Sequence, residues 1–479
     1  MKKYKIFSFL CAPLILVNSC AVNPVTGKKQ VVLMSEAQEI AMGQEADPQI
    51  IAQYGLYEDK SLQDFINQKG KAMAAVSHRP NLNYQFRVVD SEVINAFATP
   101  GGYVYFTRGI MAHFNDEAQF AGVLGHEIGH ITARHSVVQQ RNAMLGQVGL
   151  IAGMVVSETF GQFAQQASQG LGLLFLKFGR DDERQADELG VEYSSKINYD
   201  AHHMADFFTT LERSSAKSGR EELPDFLSSH PNPGSRNVTV KKLATEWKQK
   251  LNLTAAQVNR NTYLQRIDGI IYGEDPKQGF VENSAFYHPQ LKFQFQIPAN
   301  WAHQNSPQTF QMAPKDGKAM MMLTMAPGKS LEEAANGVLQ QNKLTVVESK
   351  ETTVNGLRAI AMVADQRQEQ GTLRTLSYLI QQGDNLYWML GVSNITDFNN
   401  YNRYFSSTMQ SFKTLTDPSK LNKKPERVRI KTVKQATTLD QALKSYNTPS
   451  TRMEELAILN GMKLTERVTA GTMIKVIQE

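Results

Sequence analysis

The sequence predicts a multidomain α+β protein. A mainly helical N-terminal domain with a small sheet is followed by a central α+β domain and a small module of strand, helix, helix and strand. With 479 residues, the chain is too long for one hydrophobic core. Helical patterns dominate to about residue 263, whereas strand patterns recur from about residue 291. Residues 417–426 are polar, basic and flanked by proline, which is typical of a linker before a module at 427–479.

The composition is that of a globular protein, with 41% hydrophobic and 20% charged residues. The net charge of +5 is small and dispersed along the chain. Neither this charge nor any motif in the sequence predicts binding to nucleic acid.

The N-terminus carries the features of an export signal. Three lysines precede the apolar stretch 6–17, which is too short to span a bilayer. Residues 17–20 (VNSC) resemble the lipobox of a bacterial lipoprotein, with Asn18 as a departure from the usual pattern. The resemblance implies a signal peptide at 1–19, a lipid on Cys20 and a membrane anchor. For a Gram-negative host, Ala21 in place of an acidic residue then fits the outer membrane, facing the periplasm. The alternative is an ordinary secretory signal with an incidental cysteine.

Within the N-terminal domain, 20–265, each element is predicted from its periodicity and its turn signals. Helices are predicted at Gln38–Tyr54, Asp59–Val76, Gln119–Ala133 and 181–196, strands at Tyr84–Val89 and Tyr103–Phe106, and apolar segments rich in Gly and Ala at 142–157 and 168–177.

The central domain, 280–416, shows no catalytic constellation, and its role stays open. Its predicted strands are 291–297, 319–325, 358–365, 371–381 and 386–392, and its predicted helices are Leu331–Gln341 and Phe398–Leu415. The pattern weakly resembles the PsbP-like fold. In the terminal module we predict strands at Val428–Val433 and Met473–Ile477 around helices at Leu439–Tyr446 and Met453–Leu459.

The motif H-E-x-x-H occupies residues 126–130 within a predicted helix. Positions i and i+4 lie on one helix face, so His126 and His130 can bind the same Zn²⁺. Glu127 then lies beside the metal's water, where a carboxylate can accept a proton. A catalytic zinc needs a third ligand, and Glu183 and Asp187 share one face of a later predicted helix. The alternative for these two acids is a solvated helix face.

Together, H-E-x-x-H and E-x-x-A-D-x-x-G, which begins at Glu183, resemble the gluzincin zinc metallopeptidases of the HtpX, BepA and CAAX prenyl endopeptidase type. The resemblance implies a zincin domain that holds one Zn²⁺ per chain. His126, His130 and Glu183 would be its ligands, Glu127 the general base and Asp187 a partner that orients a ligating histidine.

Two further segments extend this resemblance. Asn95, Ala96 and Phe97 match the family strand whose edge binds extended peptides, although plain sheet structure explains them equally well. His230 and Arg236 match a His-Pro…Arg segment that lies over the active site. His230 would assist as an oxyanion donor or occupy zinc's open position at rest, or it is simply a loop histidine. Arg236 would hold a carboxylate or bind substrate, and His135 is expected in an outer metal shell or at the surface.

The terminal module resembles a divergent LysM domain, which implies binding to N-acetylglucosamine polymers such as peptidoglycan. The alternative is a small α/β module that packs on the protease. The whole pattern predicts a lipoprotein zinc endopeptidase, a hydrolase acting on unfolded or misassembled envelope proteins in outer-membrane quality control. The competing hypothesis is a peptidoglycan-tethered chaperone or scaffold in which proteolysis is secondary or suppressed. Membrane-embedded CAAX processing is disfavoured because the chain lacks the required apolar segments.

Overall fold

The computed structural model describes residues 20–31, 34–139, 178–218, 226, 230, 236–368 and 371–479. The predicted signal peptide and the two segments rich in Gly and Ala lie outside these residues. No helix within the described ranges is long and apolar enough to cross a membrane.

The N-terminal domain surrounds a small three-stranded sheet with helices. The sheet has the order β3–β5–β4, with β3 parallel and β4 antiparallel to β5. Its strands are β3 (Gln85–Val89), β4 (Ala96–Thr99) and β5 (Tyr103–Thr107), and a separate hairpin pairs β1 (Cys20–Val22) with β2 (Lys29–Val31). The helices are α1 (Glu36–Tyr54), α2 (Lys60–Ala74), α3 (Arg108–His113), α4 (Glu117–Thr132), α5 (Arg180–Lys196), α6 (His202–Ser218), α7 (Arg236–Lys250) and α8 (Arg260–Arg266).

Helix α4, which carries the H-E-x-x-H motif, is buried along its whole length. It begins where the side chain of Asp116 accepts a hydrogen bond from the backbone of Gln119, a typical N-cap. Beyond its last turn, Asn23 Nδ2 donates to the carbonyl oxygen of Ala133 over 3.4 Å, which links the N-terminal segment to this end. Helices α4 and α5 touch at Gly125 and Gly190, where a Cβ added to Gly125 would lie only 2.8 Å from the Gly190 carbonyl oxygen.

The central domain contains a seven-stranded antiparallel sheet, ordered β12–β13–β14–β15–β11–β10–β9, and a four-stranded sheet, ordered β16–β8–β7–β6. The methionines of strand β11 (Ala319–Met325) alternate between two cores. Met321 packs with helix α10 (Phe398–Gln410), whereas Met320 and Met322 pack with helix α9 (Leu331–Gln341). The elements are β6 (Phe280–Glu282), β7 (Ala285–His288), β8 (Phe293–Gln296), β9 (Ala302–Asn305), β10 (Thr309–Ala313), β11 (Ala319–Met325), α9 (Leu331–Gln341), β12 (Thr345–Val354), β13 (Leu357–Gln368), β14 (Gly371–Gln382), β15 (Asn385–Asn394), α10 (Phe398–Gln410) and β16 (Lys413–Thr414).

The terminal module folds as two helices against an antiparallel pair, β17 with β20. The stretch predicted as a linker contains a short helix, and its Lys423 forms an ion pair with Glu282 of the central domain. The elements are α11 (Pro418–Leu421), β17 (Arg427–Thr432), β18 (Thr437–Thr438), α12 (Leu439–Ser445), α13 (Met453–Leu459), β19 (Arg467–Val468) and β20 (Met473–Gln478).

The module packs against the N-terminal domain through a fully buried lysine. Lys475 Nζ donates to the carbonyl oxygens of Ala112 at 2.8 Å, Phe114 at 2.7 Å and Leu459 at 3.0 Å. Arg260 adds a bridge between the two units, because it donates to the carbonyl oxygens of Asn115 and Met473. The contacts meet in the turn that leads into α4.

Candidate metal centre

Four buried side chains converge on one point. His126, His130, Glu183 and His230 each offer a ligand atom, and these atoms all lie within 4.8 Å of one another. The Nε2 atoms of His126 and His130 are 3.0 Å apart, and Glu183 lies 3.6 Å and 3.4 Å from them. Imidazole nitrogens and a carboxylate form the ligand set that zinc prefers.

The helices explain the convergence. His126 and His130 are one turn apart on α4, so their rings leave the same face. Glu183 lies in the first turn of α5, and the close contact at Gly125 and Gly190 packs this helix directly against α4. The ligand set is therefore built from two packed helices.

Glu127 has the environment expected of a general base. Both of its carboxylate oxygens are buried and have no hydrogen-bond partner among the described residues. Burial raises the pKa of Glu127, although the nearby His230 opposes this shift. A raised pKa lies closer to neutral pH, which makes the carboxylate a more efficient proton acceptor and donor under those conditions. The unpaired oxygens fit a site built to receive a water and a metal ion.

Asp187 and Arg236 support His126 from outside the centre. Asp187 Oδ1 lies 3.0 Å from His126 Nδ1, and Arg236 donates to both oxygens of Asp187 over 2.8 Å and 2.7 Å. Burial opposes ionisation of Asp187, but the Arg236 guanidinium lowers its pKa overall. The carboxylate therefore accepts the Nδ1 proton of His126 and leaves the Nε2 lone pair facing the centre.

His230 closes the open side of the cluster. Its Nδ1 lies 2.9 Å from Glu183 Oε1 and 3.2 Å from His126 Nε2. The ring of Phe226 stacks on it with centroids 4.7 Å apart. Burial alone would raise the pKa of Glu183, but His230 and His130 hold it well below its usual value. His230 thus occupies the fourth position around the three other ligands.

Two aromatic residues of the site were not assigned from the sequence. Phe178 stacks on His130 with ring centroids 4.0 Å apart, and Phe226 stacks on His230. His135, expected either in an outer metal shell or at the surface, is buried against His130, which agrees with the first alternative. Isolated aromatic residues outside a periodic pattern give no signal from which these contacts could be predicted.

The predicted substrate strand, β4, lies at the edge of the three-stranded sheet. Ala96 is buried in the main core, and Phe97 stacks on Tyr105 with centroids 4.9 Å apart. The Oδ1 atom of Asn95 is buried without a hydrogen-bond partner in the described ranges. Peptide binding by these residues stays a prediction.

Comparison with known proteins defines the class of this site. Residues 60–244 match the family described as Peptidase family M48. This region contains the His126, His130, Glu183 and His230 cluster, which is typical of the zinc site of M48 peptidases. The match confirms the predicted class, a metalloendopeptidase domain with zinc as its metal.

The individual relatives fall into two groups. The β-barrel assembly-enhancing protease of Yersinia pestis is 29% identical over 237 residues, which are 47% of this chain and 48% of that protein. Its Escherichia coli K12 counterpart is 27% identical over 239 residues, 48% of each chain. The mitochondrial metalloendopeptidase OMA1 of Arabidopsis thaliana is 29% identical over 183 residues, 38% of this chain and 36% of that protein. The chain thus spans half or less of the length of these relatives.

Among solved structures, cyanobacterial PsbP from Synechocystis sp. PCC 6803 matches 28% of this chain and 96% of its own, with 8% identity and a TM-score of 0.24. At that score, the PsbP-like fold of residues 280–416 stays a prediction.

Proposed function

We propose that this chain is a zinc-dependent endopeptidase that is held at the membrane by a lipid on Cys20 and acts in quality control of envelope proteins. The observation that carries the proposal is the buried cluster of two histidines and Glu183 beside the carboxylate of Glu127, which has no hydrogen-bond partner among the described residues. The similarity to proteases named for enhancing β-barrel assembly supports the envelope role.

The residues divide the chemistry between them. When bound by His126, His130 and Glu183, zinc would acidify a water and polarise the scissile carbonyl group. Glu127 accepts the proton of the attacking water and passes it to the leaving amine. Asp187, held by Arg236, keeps His126 in the tautomer that a metal ligand requires.

His230 is the regulatory element in this proposal. Because it fills the fourth position and contacts Glu183, a substrate has to displace it before the scissile carbonyl group can approach. The second role, donation to the oxyanion, requires that His230 stay near the substrate during the reaction. The two roles predict opposite effects of His230→Ala. Loss of a gate raises activity, whereas loss of an oxyanion donor lowers kcat by about 10²–10³.

A second candidate function is a peptidoglycan-tethered chaperone or scaffold with suppressed proteolysis. The observation that favours it is the same closed position of His230. The LysM-like terminal module supplies the tether in this proposal, facing the periplasm. Sedimentation of the full chain with purified peptidoglycan, compared with a polysaccharide that lacks N-acetylglucosamine, tests that part separately.

The test of the peptidase measures zinc content by elemental analysis and casein degradation for the wild type, Glu127→Gln and His230→Ala. His303→Ala, on the exposed strand β9, is a control for loss of a histidine. We expect one zinc per chain in every variant and no cleavage by Glu127→Gln. Cleavage by Glu127→Gln with zinc bound would overturn the assignment of the base. Full quality-control function of Glu127→Gln in cells would favour the scaffold.

A further inference from the structure

We propose that His135 is a positioning residue of the metal centre: it accepts the Nδ1 proton of the ligand His130 and is itself held by Gln185. The inference rests on the proposed zinc peptidase and concerns a pair of residues to which the proposed mechanism gives no role. It is carried by one continuous chain of hydrogen bonds that runs from the buried His130 and His135 to the half-buried Gln185.

The first link joins two imidazole rings. His130 Nδ1 and His135 Nδ1 are 3.0 Å apart, and the ring planes are inclined by 74°. His135 is only 3% exposed, so water does not replace this contact. The opposite nitrogen of His130, Nε2, points at the ligand cluster.

The protons in this pair can be placed in only one way once a metal is bound. A ligating His130 needs its lone pair on Nε2, so its proton is on Nδ1. That proton points at His135 Nδ1, which must then carry a lone pair. The remaining proton of neutral His135 is therefore on Nε2 and requires an acceptor.

Gln185 provides that acceptor. Its Oε1 atom lies 2.9 Å from His135 Nε2, and the Asp182 carboxylate is farther away at 3.8 Å. Gln185 lies two residues after the ligand Glu183 on α5. The chain His130–His135–Gln185 thus connects the end of α4 to the start of α5, the two helices that supply the ligands.

A strained turn brings His135 into this position. On a continuous helix, a residue five positions after His130 would point about 140° away from it. Arg134 has a φ of 61°, a left-handed conformation that is unfavourable for a residue other than glycine. Two hydrogen bonds hold Arg134 in this conformation: Nε donates to Glu39 Oε2 over 2.9 Å, and Nη2 donates to the carbonyl oxygen of Met34 over 3.2 Å. The turn redirects the chain so that His135 faces back onto His130.

The two histidine ligands are therefore supported differently. His126 donates to a carboxylate that an arginine neutralises, whereas His130 donates to a neutral imidazole. The neutral partner orients His130 without adding a further buried negative charge to the centre, where Glu127, Glu183 and Asp187 already lie. A structural role alone would require only that His135 fill space, and the experiment separates these possibilities.

The experiment compares zinc affinity, measured by competition with a chelator, among variants of the full chain. His135→Leu removes the acceptor and should weaken zinc binding by about 10–100-fold. His135→Asn should restore affinity to within a few-fold of the wild type, because its Oδ1 is attached to Cγ as Nδ1 is in histidine. His113→Leu is the matched control, since His113 is also buried but bonds to the carbonyl oxygen of Gly109 away from the centre. It should leave zinc affinity unchanged.

A direct readout is ¹⁵N NMR of the histidine rings in the zinc-loaded chain. We expect Nδ1–H at His130 and Nε2–H at His135; Nδ1–H at His135 would overturn the proposal. Equal zinc affinity of His135→Leu and the wild type would also overturn it, as would equal weakening in His135→Leu and His135→Asn. If His135→Leu does not fold, the zinc affinity of Gln185→Leu and the NMR assignment of the wild type test the proposal instead. A wild-type chain that binds no zinc would instead refute the proposed function.

Discussion

Replacement of Lys475 by methionine tests whether the terminal module is an integral part of the peptidase unit. The ammonium group is fully buried and donates to three carbonyl oxygens, one at the end of α3, one in the turn before α4 and one in the module itself. Methionine has nearly the same length and no donor. Lys475→Met therefore removes all three hydrogen bonds and leaves the protein's volume almost unchanged.

The expected magnitude follows from those three acceptors. An unpaired buried carbonyl costs about 1–3 kcal/mol, so three cost at least about 3 kcal/mol. Burial and the adjacent Arg260 guanidinium lower the pKa of Lys475, which shows that its buried charge is unfavourable. Replacement by methionine removes this charge, and the resulting gain in stability offsets part of the cost of the three unpaired carbonyl groups. We expect a net loss of about 3 kcal/mol in the free energy of unfolding. For a cooperative unit of about 300 residues, with an unfolding entropy of about 2.1 cal/mol/K per residue, this corresponds to a fall in Tm of about 5 °C.

Differential scanning calorimetry of the full chain measures this change, with Lys434→Met, an exposed lysine of the same module, as the control. The wild-type N-terminal domain and the terminal module should unfold in a single transition. Two well-separated transitions in the wild type, or a Lys475→Met Tm equal to that of Lys434→Met, would refute the reasoning.

Three further predictions concern the helix that carries the motif. Asp187→Asn removes the charged partner of His126 and should weaken zinc binding about 10–100-fold in a chelator competition; unchanged affinity would contradict that role. Gly125→Ala forces a methyl group against the facing helix and should cost about 1–3 kcal/mol in urea unfolding, so equal stability would refute the close contact. The hydrogen bond to Asp116 raises the pKa of His203. Its stabilisation is complete below about pH 6.5 and is lost as the pH rises through the raised pKa. His203→Gln should reduce the pH dependence of the free energy of unfolding over that range. An identical pH dependence in both proteins would refute the contribution of the His203–Asp116 hydrogen bond.

The ligands could be predicted because their geometry is local. His126 and His130 need only the helical repeat, and the family motif adds Glu183. For His135 the sequence left two positions open, an outer metal shell and the surface, because the left-handed turn at Arg134 depends on distant contacts with Glu39 and Met34. A residue that leaves the helical repeat through tertiary contacts carries no periodic signal.

The predicted elements follow the same rule. Helix α9 and strand β11 were placed with the bounds that the structure shows, because each has one or two faces in a core. Strand β12 escaped prediction because it is a sheet edge with nearly all side chains exposed, so its residues do not alternate. Helix α7 escaped because only Arg236, Val240 and Ala244 are buried, a stripe too narrow for a periodic pattern. The predicted helix Phe398–Leu415 extended too far, since the chain turns into β16 after Gln410.

The two ends of helix α4 are fastened to opposite parts of the chain. Lys475 and Arg260 hold the turn before its first residue, and Asn23 bonds to Ala133 beyond its last. The helix has 16 residues and spans about 24 Å. Both attachments therefore act on the helix that carries His126 and His130, one at each end.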